Sequence, residues 1–145
     1  MLWALLATVA AFAGKCPTVN GTFEKEQNYG MSFLSIHVRH KGKKTELSRD
    51  NVHFYPPDGS KHIELDDQFG DSAISFECRK GKIIIHQDLV KPGKLMSSSK
   101  AISNKAIPGT MILTPAGKNL KVEVSGENPV LKLVTGGLFT RKKAE

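Results

Sequence analysis

The chain of 145 residues has few of the features that usually reveal what a protein does. It contains two cysteines, one tryptophan and two tyrosines, and it has no apolar run as long as the roughly 20 residues of a membrane-spanning helix. It also lacks a G-x-S-x-G nucleophile motif, a phosphate-binding glycine loop and closely spaced cysteine and histidine ligands. We therefore expect a protein that is not an enzyme, binds no metal, uses no cofactor and does not span a membrane.

The first 13 residues are all apolar or small and end in Ala11-Phe12-Ala13. The apolar run of about 12 residues is too short to cross a bilayer, and a small-x-small ending is the pattern that signal peptidase cleaves. No Lys or Arg precedes the run, which is unusual for such a segment. We predict a signal peptide at residues 1–13 and a single β-rich domain at residues 14–145, secreted or periplasmic. A buried N-terminal helix and a lipoprotein anchored at Cys16 are the alternatives.

Export would place Cys16 and Cys78 in an oxidising compartment, where two cysteines normally pair. We therefore predict a disulfide between them, closing a loop of about 60 residues and stabilising the fold. Two buried thiols are the alternative.

Alternation of apolar and polar residues predicts β-strands along most of the chain. In residues 32–40, Leu34, Ile36 and Val38 share one face, and in residues 72–78, Ile74 and Phe76 do the same. Further strands are predicted at residues 51–55, 61–65, 83–86, 110–114, 120–125, 130–135 and 138–140. Short strands joined by Gly- and Pro-containing turns predict an all-β fold. We expect an antiparallel up-and-down β-barrel, with a β-sandwich as the alternative.

Basic residues exceed acidic ones, 21 Lys and Arg against 14 Asp and Glu, for a formal net charge of +7. Acids are concentrated in residues 50–77 and bases in residues 79–121, so a basic face that attracts anionic partners is expected. The basic stretch contains no Phe, Tyr or Trp on which bases could stack. We therefore do not expect binding to nucleic acid.

Two short segments, CPTVNGTF at residues 16–23 and GLFTR at residues 137–141, resemble the ends of lipocalin-like barrels. Residues 16–23, CPTVNGTF, are similar to the G-x-W first-strand motif, with Phe23 in the position of the tryptophan. Residues 137–141, GLFTR, look like the closing strand, in which a late arginine packs over that first aromatic residue. The resemblance implies a barrel in which Arg141 lies on Phe23 as a cation–π pair and joins the two ends.

A barrel of this kind implies either a packed core or an internal cavity. The residues expected to line a cavity face inward from the predicted strands: Leu34, Ile36, Val38, Ile74, Phe76, Leu120, Val122 and Val124. We expect a monomeric binding protein that holds a small apolar or amphipathic ligand, such as a lipid. The alternative is an interaction module with a filled core, which binds an anionic envelope surface or a protein partner through its basic face.

Overall fold

The computed structural model describes residues 15–27, 33–41, 44–49, 53–95 and 105–143. These residues form nine strands and one 3-10 turn, Leu131–Leu133. The strands are β1 (Gly21–Glu26), β2 (Phe33–Lys41), β3 (Lys44–Arg49), β4 (His62–Glu64), β5 (Gly70–Arg79), β6 (Lys82–Pro92), β7 (Gly109–Ala116), β8 (Asn119–Gly126) and β9 (Gly137–Arg141). Within these ranges, no helix is long and apolar enough to cross a membrane.

All neighbouring strands are antiparallel, in the order β3-β2-β1-β9-β8-β7-β6-β5-β4. The order follows the chain around the sheet, except that β1 pairs with β9 and the sheet is open between β3 and β4. The result is one curled sheet, a half-barrel. This confirms the prediction of an all-β, antiparallel, barrel-like fold. The β-sandwich alternative is wrong, because a sandwich would need two separate sheets packed face to face.

The seam between β1 and β9 brings the first and last strands together. Phe23 lies opposite Arg141 in this pairing, and the Lys142 amide donates to the Thr22 carbonyl at 2.7 Å. Thr135 lies before the start of β9, and there the side chain of the buried Gln27 takes the place of backbone pairing. Its Nε2 donates to the Thr135 carbonyl at 3.1 Å and its Oε1 accepts from the Thr135 amide at 2.6 Å. A side-chain amide therefore continues the seam where backbone pairing stops.

Gly21 makes room for Arg141 at this seam. Gly21 has a φ of +125°, and a Cβ at this position would lie 3.0 Å from Arg141 Nε. The backbone conformation favours glycine, and the absence of a Cβ leaves the space that the Arg141 side chain occupies. The predicted partners Phe23 and Arg141 thus lie side by side in the sheet, while a cation–π contact between them stays a prediction. The cation–π contact present in the described residues joins Arg39 and Phe54, with the guanidinium carbon 3.9 Å from the ring centroid.

The concave face of the sheet is filled by apolar side chains at alternating positions of the strands. Residues that are at most 4% exposed form one cluster: Phe23, Ile36, Val38, Leu47, Ile74, Phe76, Cys78, Ile83, Ile85, Met111, Leu113, Leu120, Val122, Leu131 and Phe139. Because almost every strand contributes to this cluster, burial of apolar area stabilises the curl of the whole sheet.

One end of the half-barrel is closed by the predicted disulfide between Cys16 and Cys78. It ties the segment before β1 to the β5–β6 hairpin, and the Gly81 amide also donates to the Lys15 carbonyl at 3.1 Å. We call this end of the molecule the disulfide end. It carries the β5–β6 and β7–β8 turns, the β2–β3 connection and the end of β9.

Residues 55–59 cross the opening between β3 and β4 near its middle. Tyr55 exchanges two backbone hydrogen bonds of 2.8 Å with Leu47 of β3, and the Gly59 amide donates to the Phe76 carbonyl of β5 at 2.9 Å. The Tyr55 ring stacks on His62, with centroids 4.0 Å apart, and on Phe76 at 5.7 Å. These contacts divide the opening into a part towards the end opposite the disulfide and a part towards the disulfide.

The structure differs from the predicted local structure at residues 130–135 and at β3. The strand predicted at residues 130–135 is wrong, because the 3-10 turn occupies this segment and only Leu131 is buried in it. Asn128 Oδ1 accepts from the Val130 amide at 2.9 Å, which starts the turn directly after Pro129. Strand β3 was not predicted, since its mixed polar sequence KTELSR shows little alternation. The predicted signal peptide, residues 1–13, lies outside the described residues.

Removing the disulfide should destabilise the protein strongly. The double variant Cys16→Ser, Cys78→Ser loses a crosslink between residues 62 positions apart, and the chain-entropy model gives a loss of about 4 kcal/mol in the free energy of unfolding. Urea unfolding of the oxidised wild type and of the variant measures this loss. Wild type kept in reductant is the matched control and should behave like the variant. A loss below about 1 kcal/mol would contradict a stabilising role for this bridge.

Candidate ligand-binding cleft

A cleft of about 620 Å³ opens at the end of the half-barrel opposite the disulfide, which we call the cleft end. It lies where β3 and β4 finish and β5 begins, beside the 3-10 turn that follows β8. This is also where the sheet is open between β3 and β4. The cleft is therefore a product of the incomplete closure of the sheet, and its volume falls within the roughly 300–1,000 Å³ of typical small-molecule sites.

Apolar side chains form much of the cleft's lining. The contributors are Ile63, Leu65, Phe69, Val130, Leu131, Leu133 and Val134. Leu131 belongs to the core and is 1% exposed, whereas Ile63 and Leu65 are 59% and 78% exposed. Exposed leucine and isoleucine next to a concave surface leave apolar area in water that a ligand could cover. The lining thus runs from the buried core to an exposed apolar rim.

Polar side chains from three strands meet on the inner side of the cleft. The Arg49 guanidinium donates to Gln87 Oε1, and Gln87 Nε2 donates to Ser72 Oγ at 3.2 Å. Arg49 Nη2 also lies 3.9 Å from Glu64 Oε2, across the opening between β3 and β4. Gln87 is 2% exposed and Ser72 4%. We call Arg49, Ser72 and Gln87 the polar floor, because they give a largely apolar cleft a set of hydrogen-bonding groups and one positive charge.

Asn128 holds the 3-10 turn against this floor. It is fully buried, its Nδ2 donates to the Gln87 carbonyl at 2.8 Å, and its Oδ1 accepts from the Val130 amide. The Glu127 and Asn128 amides both donate to the Pro108 carbonyl, at 3.1 and 3.0 Å. One side chain therefore fixes the wall of the cleft to β6, which carries the floor residue Gln87.

A second and more open cleft of about 960 Å³ lies towards the disulfide end. Its lining includes Cys16, His40, Lys15 and Lys44, together with Pro17, Pro56 and Pro57. Both nitrogens of His40 have partners: Nε2 lies 3.0 Å from the Val19 carbonyl and Nδ1 lies 3.0 Å from Thr45 Oγ1. His40 is thus committed to holding the chain before β1 against β2 and β3, which suits a structural role better than a chemical one.

Of the residues expected to line a cavity, the seven whose side chains are described do not line either cleft. Six of them lie in the packed core (Ile36, Val38, Ile74, Phe76, Leu120 and Val122), and Val124 packs against it partly buried. The side chain of Leu34 lies outside the described residues. Contact of these residues with a ligand stays a prediction. The residues that line the two clefts are different ones. Most of them come from strand ends and loops, which strand alternation does not describe, and Ser72 and Gln87, which lie within strands, are polar.

Acidic and histidine side chains do not assemble into a metal site in the described part of the chain, where no group of three potential ligands is found. The acidic turn at residues 66–71 is held by its own backbone: Asp66 Oδ1 accepts from the Gln68 and Phe69 amides at 2.8 and 2.9 Å. Asp71 Oδ1 accepts from the Asp66 amide at 3.3 Å. These carboxylates shape the rim of the cleft by capping the turn.

Tyr55 and Glu64 are electrostatically coupled beside the opening. Burial raises the pKa of the Tyr55 phenol above its ordinary value of 10.0, and the Glu64 carboxylate raises it further. Glu64 also faces Arg49. The Glu64 carboxylate therefore interacts both with Tyr55, which belongs to the ring stack, and with Arg49, which belongs to the polar floor.

Comparison of the chain with protein-family models, with curated proteins and with solved structures found no match.

Replacing the buried Asn128 should destabilise the protein more than replacing the half-buried Asn119. In Asn128→Ala the buried Gln87 carbonyl and the Val130 amide lose their partners, which should lower the free energy of unfolding by about 2 kcal/mol. Asn119→Ala is the matched control, since Asn119 makes one exposed hydrogen bond to the Arg141 amide, and a loss under about 1 kcal/mol is expected there. Chemical unfolding compares the two, and equal losses would contradict the anchoring role of Asn128.

The Tyr55 phenol should ionise at a higher pH in the folded protein than in the unfolded chain. Its raised pKa means that folding favours the protonated form, so the associated stability is present below pH 10 and is lost as the pH rises through the folded value. The absorbance of tyrosinate, followed in a Tyr29→Phe background, isolates Tyr55 because the chain has two tyrosines. Glu64→Gln should lower the midpoint, whereas the distant control Glu127→Gln should not. A midpoint at or below that of the urea-unfolded protein would contradict the assignment.

Proposed function

We propose that this protein binds a small amphipathic molecule in the cleft, with the ligand's apolar part against the wall and its polar end on the polar floor. The single observation that carries the proposal is the combination of an exposed apolar rim, at Ile63 and Leu65, with buried hydrogen-bonding side chains inside the same cleft. Ligand sites in proteins commonly have this composition, a mainly apolar lining with a few placed polar groups.

The charges around the cleft indicate which polar end would fit. Arg49 gives the floor a positive charge, and its side chain is 15% exposed, so a group that accepts hydrogen bonds is favoured there. Glu64 and Asp66 also line the cleft, and they would repel a second negative charge. We therefore propose a ligand with a single accepting head, such as a carboxylate, a carbonyl or a hydroxyl group, on an apolar body.

The proposal extends to a lipocalin-like mode of action outside the cytoplasm. Lipocalin-like proteins carry their ligands within an antiparallel barrel, and a half-barrel with a cleft at one end is compatible with that mode. The Cys16–Cys78 disulfide supports an oxidising compartment, the periplasm or the extracellular space. Cleavage of residues 1–13 as a signal peptide belongs to the same proposal.

A charge placed on the apolar rim should weaken ligand binding. Leu65→Glu puts a carboxylate where the apolar part of the ligand would lie, and we expect the affinity for a fluorescent fatty-acid probe to fall at least about tenfold. Leu138→Glu is the matched control. Leu138 is 48% exposed and lines neither cleft, so the same substitution there should change the affinity less than about twofold.

Titration by probe fluorescence, together with native mass spectrometry of the purified protein, tests the proposal. Wild type that binds neither the fatty-acid probe nor a fatty alcohol of equal length would overturn it, as would equal losses in the two variants. Comparison of the acid with the alcohol reports on Arg49, since Arg49→Met should weaken the acid more than the alcohol.

A further inference from the structure

The two hairpin turns of the disulfide end carry a concentration of positive charge. The β5–β6 turn brings Arg79, Lys80 and Lys82 together, and the β7–β8 turn adds Lys118 and Lys121. All five side chains are exposed. The pairing of Ile83 with Leu113 places these two turns next to each other at the same end of neighbouring hairpins.

The segments that begin and end the described chain add to this charge. β9 finishes at the same end, where Arg141 is followed by Lys142 and Lys143, and all three side chains are exposed. Lys15 lies next to the disulfide, and Lys44 begins β3 across the β2–β3 connection. We call these ten residues, the five of the hairpin turns and the five named here, the basic end. They are separated in the sequence, and the strand order brings them together.

Few of these charges are neutralised by neighbouring acids. Arg79 pairs with Glu77 at 2.8 Å and Lys121 with Glu123 at 3.3 Å. The other eight cations of the basic end have no carboxylate at ion-pair distance within the described residues. The cleft end is different, because acids such as Asp66, Asp67 and Glu127 offset its lysines there. Among the described residues, the excess positive charge thus lies at one end of the half-barrel.

The chemistry of the basic end fits a hydrated anionic surface. Eight of its ten residues are lysines, whose compact, strongly hydrated charges do not require the bidentate geometry that arginine provides. Of the five large apolar side chains exposed in the described chain, Ile63, Leu65, Val90 and Leu95 lie at the cleft end. Only Leu138, which pairs with Lys121, lies beside the basic end. The basic end also offers no aromatic ring in those turns for stacking on nucleotide bases.

We propose that the basic end docks on the surface of a bilayer that contains anionic lipids, without insertion into the hydrocarbon. Turns from several strand pairs lie at the same end of the half-barrel, so their charges are spread over a broad surface, which suits an extended anionic surface better than a linear polyanion in a groove. Attraction of this kind is electrostatic and is strongly screened by salt. The proposal stands on the charge distribution and is independent of the ligand in the cleft.

The test compares two triple variants with the same change in charge. Lys82→Glu, Lys118→Glu, Lys142→Glu alters the basic end, and Lys91→Glu, Lys105→Glu, Lys132→Glu alters exposed lysines elsewhere. Each triple lowers the formal net charge from +7 to +1, since every substitution removes two units. Co-sedimentation uses vesicles of phosphatidylcholine with about 30% phosphatidylglycerol, and vesicles of phosphatidylcholine alone, at about 50 and 500 mM salt.

We expect wild type to bind only the anionic vesicles and to be released at high salt. The basic-end triple should lose at least about tenfold in affinity, because each lysine near an anionic surface contributes roughly fivefold. The control triple should lose less than about threefold, since its lysines lie farther from the surface than the screening length. Thermal unfolding establishes whether both triples are folded. If a Glu version is not folded, the Lys→Gln version of both triples is used in its place.

Three results would overturn the proposal: no binding of wild type to anionic vesicles at low salt, equal losses in the two triples, or binding that persists at high salt. A fourth is tighter binding to soluble polyphosphate than to the vesicles, which would identify a linear polyanion as the partner.

Discussion

The short seam between β1 and β9 is the interaction on which the rest of this structure depends. Without it, the strands would form two separate units, β3-β2-β1 and β9 to β4. Pairing of Phe23 with Arg141 and of Glu24 with Thr140, continued by the Gln27 side chain, joins these units into one curled sheet. The curl brings apolar side chains from both units into one core, where Phe23 and Phe139 are fully buried. A few hydrogen bonds thus decide which large apolar surfaces are buried together.

The same curl leaves the sheet unfinished between β3 and β4, and this gap is closed by different interactions along its length. In its middle, residues 55–59 pair with β3 and β5, and the ring stack on Tyr55 fills the space. Towards the cleft end, the contact across the gap is between the side chains of Arg49 and Glu64, 3.9 Å apart. Side chains bridge a gap less completely than a backbone ladder does. The cleft therefore lies where the protein replaces strand pairing with a partly buried ion pair.

The fold was more predictable from the sequence than the cleft was. Alternation identified Ile36, Val38, Ile74 and Phe76 as inward-facing because each strand obeys the same two-residue period. Most of the cleft residues obey no such period: Arg49 ends a polar strand, Leu65 follows a three-residue strand, and Leu131 and Leu133 belong to a 3-10 turn whose apolar sequence resembles that of a strand. Gln87 does follow the period of β6, but as a polar residue it did not mark an apolar face. The proximity of the cleft residues comes from the strand order, and no local pattern encodes the gap. The seam is different, because the resemblance of residues 16–23 and 137–141 to the ends of a barrel already placed Phe23 beside Arg141. The basic stretch in residues 79–121 is visible in the sequence. That its hairpin turns lie at the same end of the molecule as Lys15 and Arg141 follows only from the strand order.

The charges of the described residues are separated along the half-barrel, with the excess positive charge at the disulfide end, and such a separation is an electric dipole. Near any negatively charged boundary, such a dipole experiences a torque that turns the disulfide end towards the boundary before contact is made. The opening of the cleft lies at the opposite pole. An approaching molecule would therefore present the cleft to the aqueous phase, where a solute can exchange into it while the protein stays at the boundary.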